Sequence, residues 1–310
     1  MAGITEAKEG GDEPAGTAAT LRPTVAAVED LLFKALPVLD HGFIRVIDYM
    51  GDDSAVVQAA RVSYGRGTKR LNEDRGLIRY LMSHHHSTPF EMCELKIHVK
   101  LPIFVARQWI RHRTANVNEY SARYSVLDKE FYIPAADQLA VQSGANRQGR
   151  DALLEADQAA IVQNLLRDDA ERSYEHYLWL LNEGDETKPP DPDRQGIARE
   201  LARIGLGLGS YTQWYWKIDL HNLMRFVRLR ADAHAQYEIR AYAEVLLDII
   251  RQWVPLTHEA FLEYELKGAS LSATAIAVLK RRLAGEAIDK ASSRLTAREW
   301  ADLSALFDLD

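Results

Sequence analysis

The 310-residue sequence predicts a mixed fold of alternating strands and helices, and three observations carry that expectation. Apolar residues alternate with period two at 91–101. Helical spacings of three and four recur near 72–84 and 239–253. Clusters of Gly, Asp and Pro separate these periodic stretches. The length suits one large domain or two small ones, with ample material for a core.

Residues 1 to about 22 are rich in Gly, Ala, Glu and Thr and lack an apolar period. They read as a disordered tail, and a variable N-terminal region is expected to reach residue 35. Residues 41–62 read as a strand, a turn at Gly51-Asp52-Asp53, and a helix that Asp53 or Ser54 can cap. Residues 72–84 predict a helix with Leu77, Ile78 and Leu81 on one face. Thr88-Pro89 breaks the chain before a strand at 91–101. Pro102 then opens a helix to about Arg113, because a first-turn residue has no use for its N–H. Phe131 to Pro134 (FYIP) reads as a short strand.

A polar loop leads into a helix at about 151–183, followed by an exposed Pro- and Asp-rich connection and a helix at 196–207. A long helix is expected over 219–253, with Ile239, Tyr242, Leu246, Ile249 and Trp253 as its apolar stripe. This organisation gives a main domain over 36–268 with an insertion at about 137–195. A peripheral helical extension follows at 269–310.

The N-terminus is acidic and has no apolar core segment, so it does not read as a signal peptide. No apolar run approaches the roughly 18–20 residues of a membrane span. A cytoplasmic location is expected, with no membrane partner. The single cysteine, Cys93, excludes an internal disulfide. It shares a strand face with Leu95, Ile97 and Val99 and is flanked by Glu91 and Glu94. That setting suits a small buried hydrophobe, not a reactive thiol. The net charge of −7 argues against a general nucleic-acid binder. Yet from Val99 to Ser125 five Lys and Arg face one acid, Glu119. A basic segment in an acidic protein suggests a small anionic ligand. GLGLGS at 205–210 has the wrong spacing for a phosphate loop.

Three constellations could carry chemistry. The first is RHRTANVNEYSARYS, residues 111–125. Arg offers a planar fork to phosphate, and Asn and Ser can match a pyrimidine edge. A solvated basic surface is the plainer alternative. Ser121 there has no visible His–acid pair to activate it, which favours hydrogen bonding over nucleophilic attack. The second is HHHSTPFE, residues 84–91. Consecutive helical residues point about 100° apart, so His84, His85 and His86 cannot share one ion, and no metal is expected. The third is Arg230 and His234, spaced to share a helix face. They could pair with Asp232 or Glu238 as surface charges. Leu223, Phe226 and Val227, however, turn this helix toward a core, where an arginine requires an anion.

Arg111, His112, Arg113, then seven residues, then Ser121 resembles the signature of the flavin-dependent thymidylate synthases. ARQW (106–109), NEYSARYS after the motif, HSTPFE (86–91) and LRADAHAQYEIR (229–240) are similar to that family in the same order. The match covers about 41–134 and 197–268. The resemblance implies an α+β fold, a twisted, mainly antiparallel sheet packed with helices. It also implies a homotetramer with sites shared between subunits. The implied reaction makes dTMP from dUMP by reductive methylation. Methylenetetrahydrofolate gives the carbon, NADPH is the reductant and FAD carries the hydride.

The resemblance places FAD at His86, Thr88, Arg111, His112, Arg113 and Glu119, and at Asp219, Leu220, His221 and Arg225 in the segment KIDLHNLMRF. Some family members carry Asn, Arg and Asn at 219, 221 and 225, and Asp219 could be only a helix cap. It places dUMP at Gln108, Trp109, Ile110, Arg111, Glu119, Tyr120, Ser121, Ala122, Arg123, Arg203 and Arg230. Arg111 and Glu119 then lie between the two ligands. Arg230 is the implied catalytic group, stabilising the uracil imide as an anion. Two other classes stay open: a metal-dependent nucleotide hydrolase using His84–His86, which chelators would inhibit, and a nucleic-acid-binding module using 111–124. The latter would bind oligonucleotides with a steep salt dependence.

Overall fold

The structure is a computed structural model that describes residues 21–62, 71–144, 149–184 and 188–309. The chain forms two compact units, one ending at Phe261 and one running from Leu262, a few residues ahead of the boundary expected at 268. In the first unit the elements run α1 (Ala26–Glu29), β1 (Ala35–Val38), β2 (Gly42–Met50), α2 (Asp53–Arg61), α3 (Leu71–Ser83), β3 (Glu94–Pro102), α4 (Ile103–Trp109) and β4 (Asn116–Glu119). They continue with β5 (Ala140–Gln142), β6 (Arg150–Leu153), α5 (Ala156–Leu181), α6 (Arg199–Ala202), β7 (Tyr211–Asp219), α7 (Leu220–Arg230), α8 (Tyr237–Trp253) and α9 (Pro255–Phe261). The second unit holds α10 (Ala273–Leu283), α11 (Lys290–Ser293) and α12 (Ala297–Phe307) around buried Val278, Ile288 and Leu303.

The main sheet has the order β1-β2-β3-β7-β4, and every strand pair in it is antiparallel. This is the mixed helix and antiparallel-sheet architecture that the family resemblance implied. Strands β3 and β7 pair along their whole length, with Ile97 opposite Trp216 and Val99 opposite Trp214. Leu95, Ile97, Val99, Trp214, Trp216 and Ile218 are all buried, so one sheet face is fixed by side-chain alternation. No element was expected over 208–218. Its signal lies in YTQWYWKID, where Thr212, Trp214, Trp216 and Ile218 are buried and Gln213, Tyr215 and Lys217 are only partly so.

Several boundaries differ from the sequence expectation. The helix expected over 219–253 is two helices, because 231–236 leave helical geometry. His234 therefore does not share a helix face with Arg230. It is exposed and sits 3.0 Å from Asp232. The helix opened by Pro102 ends at Trp109, not Arg113, and Pro102 is its N-cap. The helix expected at 196–207 is reduced to α6 and a 3₁₀ turn at Arg203–Gly205. FYIP contributes a single bridge, Phe131 to Ser210, rather than a strand. The N-terminal region to residue 35 contains ordered structure from Leu21 on: Val28 is buried and Arg22 binds Asp48 at 3.1 Å. Residues 1–20 lie outside the described part. Among the described residues no helix is long and apolar enough to cross a membrane.

The cap of α2 is Asp52, which accepts from Ala55 N at 3.0 Å. Asp53 serves a different helix. Its carboxylate accepts from Leu256 N (2.7 Å), Thr257 N (2.9 Å) and Thr257 Oγ1 (2.7 Å), closing the start of α9. Burial raises the pKa of this carboxyl despite those three donors. Gly51 makes the turn between β2 and α2 with φ at +85°, and a Cβ there would meet Cys93 Sγ at 2.7 Å. Asp53→Ala leaves two buried N–H groups and one hydroxyl without this acceptor. It is expected to cost about 1–3 kcal/mol and lower the Tm by several degrees. Thermal unfolding followed by circular dichroism checks this, and an unchanged Tm would refute the assignment.

Candidate functional site

The site is built outward from Trp109. This side chain is fully buried, with ring centroids of Trp214, Trp216, Phe226 and Tyr242 within 4.6–5.9 Å. It therefore joins α4 to β7, α7 and α8. Chain direction then fixes the motif: the residues after Trp109 emerge at the end of α4, facing α7. Between Trp109 and β4 the chain is irregular. Arg111 and Arg113 are exposed, whereas His112 is half-buried against the edges of Trp216 and Phe226. The Arg-His-Arg order thus presents two cations outward and one imidazole inward.

Around His112 several expected residues converge. Burial lowers its pKa, and the charges of Arg225 and Arg230 add to that, while Asp219 and the main chain of Asn222 pull the other way. The imidazole is held neutral at physiological pH. Its Nε2 lies 3.0 Å from Thr114 Oγ1. Arg230 ends α7 and donates to the main-chain oxygen of Gln108 at 3.3 Å. It is half-buried and pairs with no carboxylate among the described residues, and burial lowers its pKa. The side-chain oxygen of Gln108 is buried and receives no donor among the described residues. Asp219 caps α7, accepting from Asn222 N at 2.9 Å and Asn222 Nδ2 at 2.8 Å. The cap role foreseen for Asp219 is real, and the same carboxylate acts on His112. His221 and Arg225 lie one turn apart on α7, while Leu220 is fully buried.

A second group follows β4. Glu119 accepts from Thr212 Oγ1 at 2.8 Å, and Tyr120 N donates to Gln213 O at 2.8 Å. Ser121 organises the next turn, its Oγ accepting from Arg123 N at 3.4 Å and its carbonyl from Tyr124 N at 3.0 Å. Ala122 packs in one buried cluster with Ala202, Leu127, Tyr174, Tyr177 and Leu181. Arg199, also on α6, donates to the Tyr124 carbonyl. These contacts bring exposed Arg123 beside the segment that carries exposed Arg203. Helix α5 of the insertion supports this turn directly. Tyr174 OH donates to Leu127 O at 2.7 Å, and Tyr177 OH accepts from Leu127 N at 3.2 Å. The support from α5 had no short-range signal in the sequence, since Tyr174 and Tyr177 lie about 50 residues from the peptide they hold.

The third group is the end of α3. His85 has φ at +56°, and His86 N donates to Leu81 O at 2.9 Å, which closes the helix. His84 Nδ1 lies 2.9 Å from Tyr80 O. Among the described residues no cluster of three His, Cys, Asp or Glu has metal-holding geometry. His86 and Thr88 are exposed just ahead of the turn Phe90–Met92, which packs on α7. Cys93 is buried, and burial together with Asp52 and Asp53 pushes its pKa up to about 12.

Of the expected ligand residues, Trp109, Ala122 and Leu220 have their side chains in the core. From these positions only the main chain is placed to meet a ligand. Arg111, Arg113, Arg203 and Arg225 are exposed and make no ion pair among the described residues. Four uncompensated guanidiniums, half-buried Arg230 and an unsatisfied Gln108 oxygen fit phosphate-bearing ligands with a hydrogen-bonding ring, such as a nucleotide and a flavin dinucleotide.

The sequence profile of the thymidylate synthase complementing protein family matches residues 45–256. The chain is 64% identical to a flavin-dependent thymidylate synthase of Gluconobacter oxydans over 93% of this chain and 92% of that one. It is 57% identical to one of Rickettsia bellii over 93% of this chain and 98% of the other. Among solved structures, a UMP/dUMP methylase, PolB, from Streptomyces cacaoi with bound 5-Br dUMP is similar. Its TM-score is 0.65 and its identity 33%, covering 74% of this chain and 99% of that one.

The charges around His112 predict its titration. Its imidazole midpoint should lie below that of a free histidine, and Arg225→Ala should raise it by removing one cation. Proton NMR of the ring signals against pH checks both. A midpoint that stays put or falls in the variant would break the proposed proximity.

Proposed function

The chain belongs to the family of flavin-dependent thymidylate synthases, and on that premise we propose that it makes dTMP from dUMP with methylenetetrahydrofolate, FAD and NADPH. The observation that carries the reading is Arg230: half-buried, aimed by the Gln108 carbonyl and without a carboxylate partner among the described residues. Bound flavin supplies the hydride and the folate supplies the carbon. The chain's own residues bind, orient and polarise. Arg230 stabilises negative charge on the uracil imide, and its burial limits screening of that charge by water. Gln108, with its unsatisfied buried oxygen, reads the ring edge. Arg111, Arg123 and Arg203 hold the nucleotide, with Ser121 and Glu119. Arg111, Arg113, His112, Arg225, His86 and Thr88 hold the flavin. The neutral state of His112 avoids a further positive charge beside Arg225 and Arg230. We further propose a cytoplasmic homotetramer whose sites draw on more than one copy. The two groups of site residues stand on separate supports, the Trp109 cluster and the α5 cluster, which suits a shared site.

Purified protein should carry a flavin spectrum that NADPH bleaches. Arg230→Ala should keep the flavin but lose dUMP-dependent turnover by about a hundredfold or more, as expected for a charge acting on the reacting ring. Colourless protein that takes up no FAD would sink the reading, and unchanged turnover in the variant would remove Arg230 from it.

The one cysteine supports a route without a protein thiolate, because Cys93 is buried and its thiol stays protonated at neutral pH. Cys93→Ser should retain turnover. Folded, flavin-loaded variant without activity would contradict this.

A further inference from the structure

The β5–β6 hairpin, part of the insertion at about 137–195, reaches a buried acid, Glu238, at the start of α8. Glu238 is the second residue of α8 and is 1% exposed. Four donor contacts meet its carboxylate. Arg150 Nη2, from β6, binds both oxygens at 2.6 and 2.8 Å. Tyr132 OH donates at 3.0 Å, and Gln236 Nε2 donates at 2.9 Å. Burial alone would raise the pKa of this acid, but the bonds and charge of Arg150, with Gln236, hold it below the ordinary carboxylate range. Arg150 is itself anchored to the turn ahead of its hairpin, donating from Nη1 to Gln138 O at 3.1 Å.

The position of Glu238 gives this pair its meaning. Residues 231–236 are the only span between Arg230 at the end of α7 and the start of α8. Gln236, the last of them, is bound to the same carboxylate. The other end of the span carries the Arg230 guanidinium, which one long contact to Gln108 O holds. We propose that Arg150 and Glu238 are positioning residues: their ion pair clamps the α7–α8 connection so that Arg230 keeps its aim at the nucleotide ring. The inference rests on the proposed role of Arg230. It also gives the hairpin a function in substrate binding, distinct from the Leu127 support by α5.

The test uses full-length, flavin-loaded protein. Arg150→Ala should leave the flavin content unchanged and raise the KM for dUMP about tenfold or more, the scale of loss for a misplaced binding group. Amides 231–236 should exchange hydrogen faster, with the β3 and β7 amides unchanged. Arg150→Lys should recover part of the loss, since one charged donor replaces a two-point contact. If Arg150→Ala folds poorly, Glu238→Gln provides the second route, because it keeps the side chain's shape and one acceptor oxygen but removes the charge that pairs with Arg150. It should raise the KM for dUMP in the same direction. An unchanged KM in either folded variant overturns the proposal, as does exchange that rises throughout the unit with kcat, KM and flavin content falling together. Arg230→Ala is measured in parallel. If that variant turns over normally, the functional reading fails. If it is inactive while the Arg150 and Glu238 variants bind dUMP normally, only the clamp fails.

Discussion

Everything about the site depends on where Trp109 is seated. Burying an indole of roughly 150–250 Å² at about 25 cal/mol/Å² is worth on the order of 4–6 kcal/mol. Its Nε1 has no hydrogen-bond partner among the described residues, which returns about 1–3 kcal/mol of that. Packing wins, and α4 is held against β7, α7 and α8 together. Since α4 follows directly from β3, and α7 directly from β7, the antiparallel pairing of those strands sets both helices at once. The exit of the motif and the end of α7 are therefore placed by one core, which is how Gln108 and Arg230 meet across 122 residues of sequence.

That placement would be unfavourable for charge if the cations were buried. The chain resolves it by exposure. Arg111, Arg113, Arg203 and Arg225 are solvated, so their mutual repulsion is screened. His112, held inward, meets the remaining conflict by staying neutral. Arg230 is the exception. It is half-buried, with the Gln108 carbonyl as its partner among the described residues, and burial disfavours its charge. An anion arriving beside it would relieve that state, and in the role proposed for Arg230 the binding free energy of the ligand is directed at the atom where negative charge must develop.

The sequence made legible whatever local spacing specifies. The apolar face of β3, the burial of Cys93, the helices α2, α3 and α5, and the Arg-His-Arg motif could all be read from neighbours within a few residues. Errors fell where distant partners decide. Asp53 looks like a cap for its own helix but caps α9, about 200 residues on. The break at 231–236 is invisible in an apolar stripe that continues on either side, and the partners of Glu238 just beyond it, Arg150 and Tyr132, lie about 90–110 residues away. Strand β7 had a signal in its alternation, but its three consecutive aromatics, Trp214, Tyr215 and Trp216, mask period two unless each residue's face is assigned. Trp109, Ala122 and Leu220 lie within site motifs, and sequence position alone could not distinguish a ligand contact from a core contact there.

The carboxylates explain how an acidic chain keeps a basic site. With a net charge of −7, acids are plentiful enough to neutralise every arginine of the motif. Several are committed elsewhere: buried or half-buried Asp53 to the start of α9, Asp219 to the start of α7 and Glu238 to Arg150, and exposed Glu183 to Arg199. Each is held by two or more donors in fixed geometry, so none can swing to the motif without breaking a helix cap or a bidentate pair. Glu119, the one acid inside the motif, is turned to Thr212. The positive field at the site is thus a consequence of how the fold satisfies its acids, and local sequence charge describes it better than the net charge of the chain.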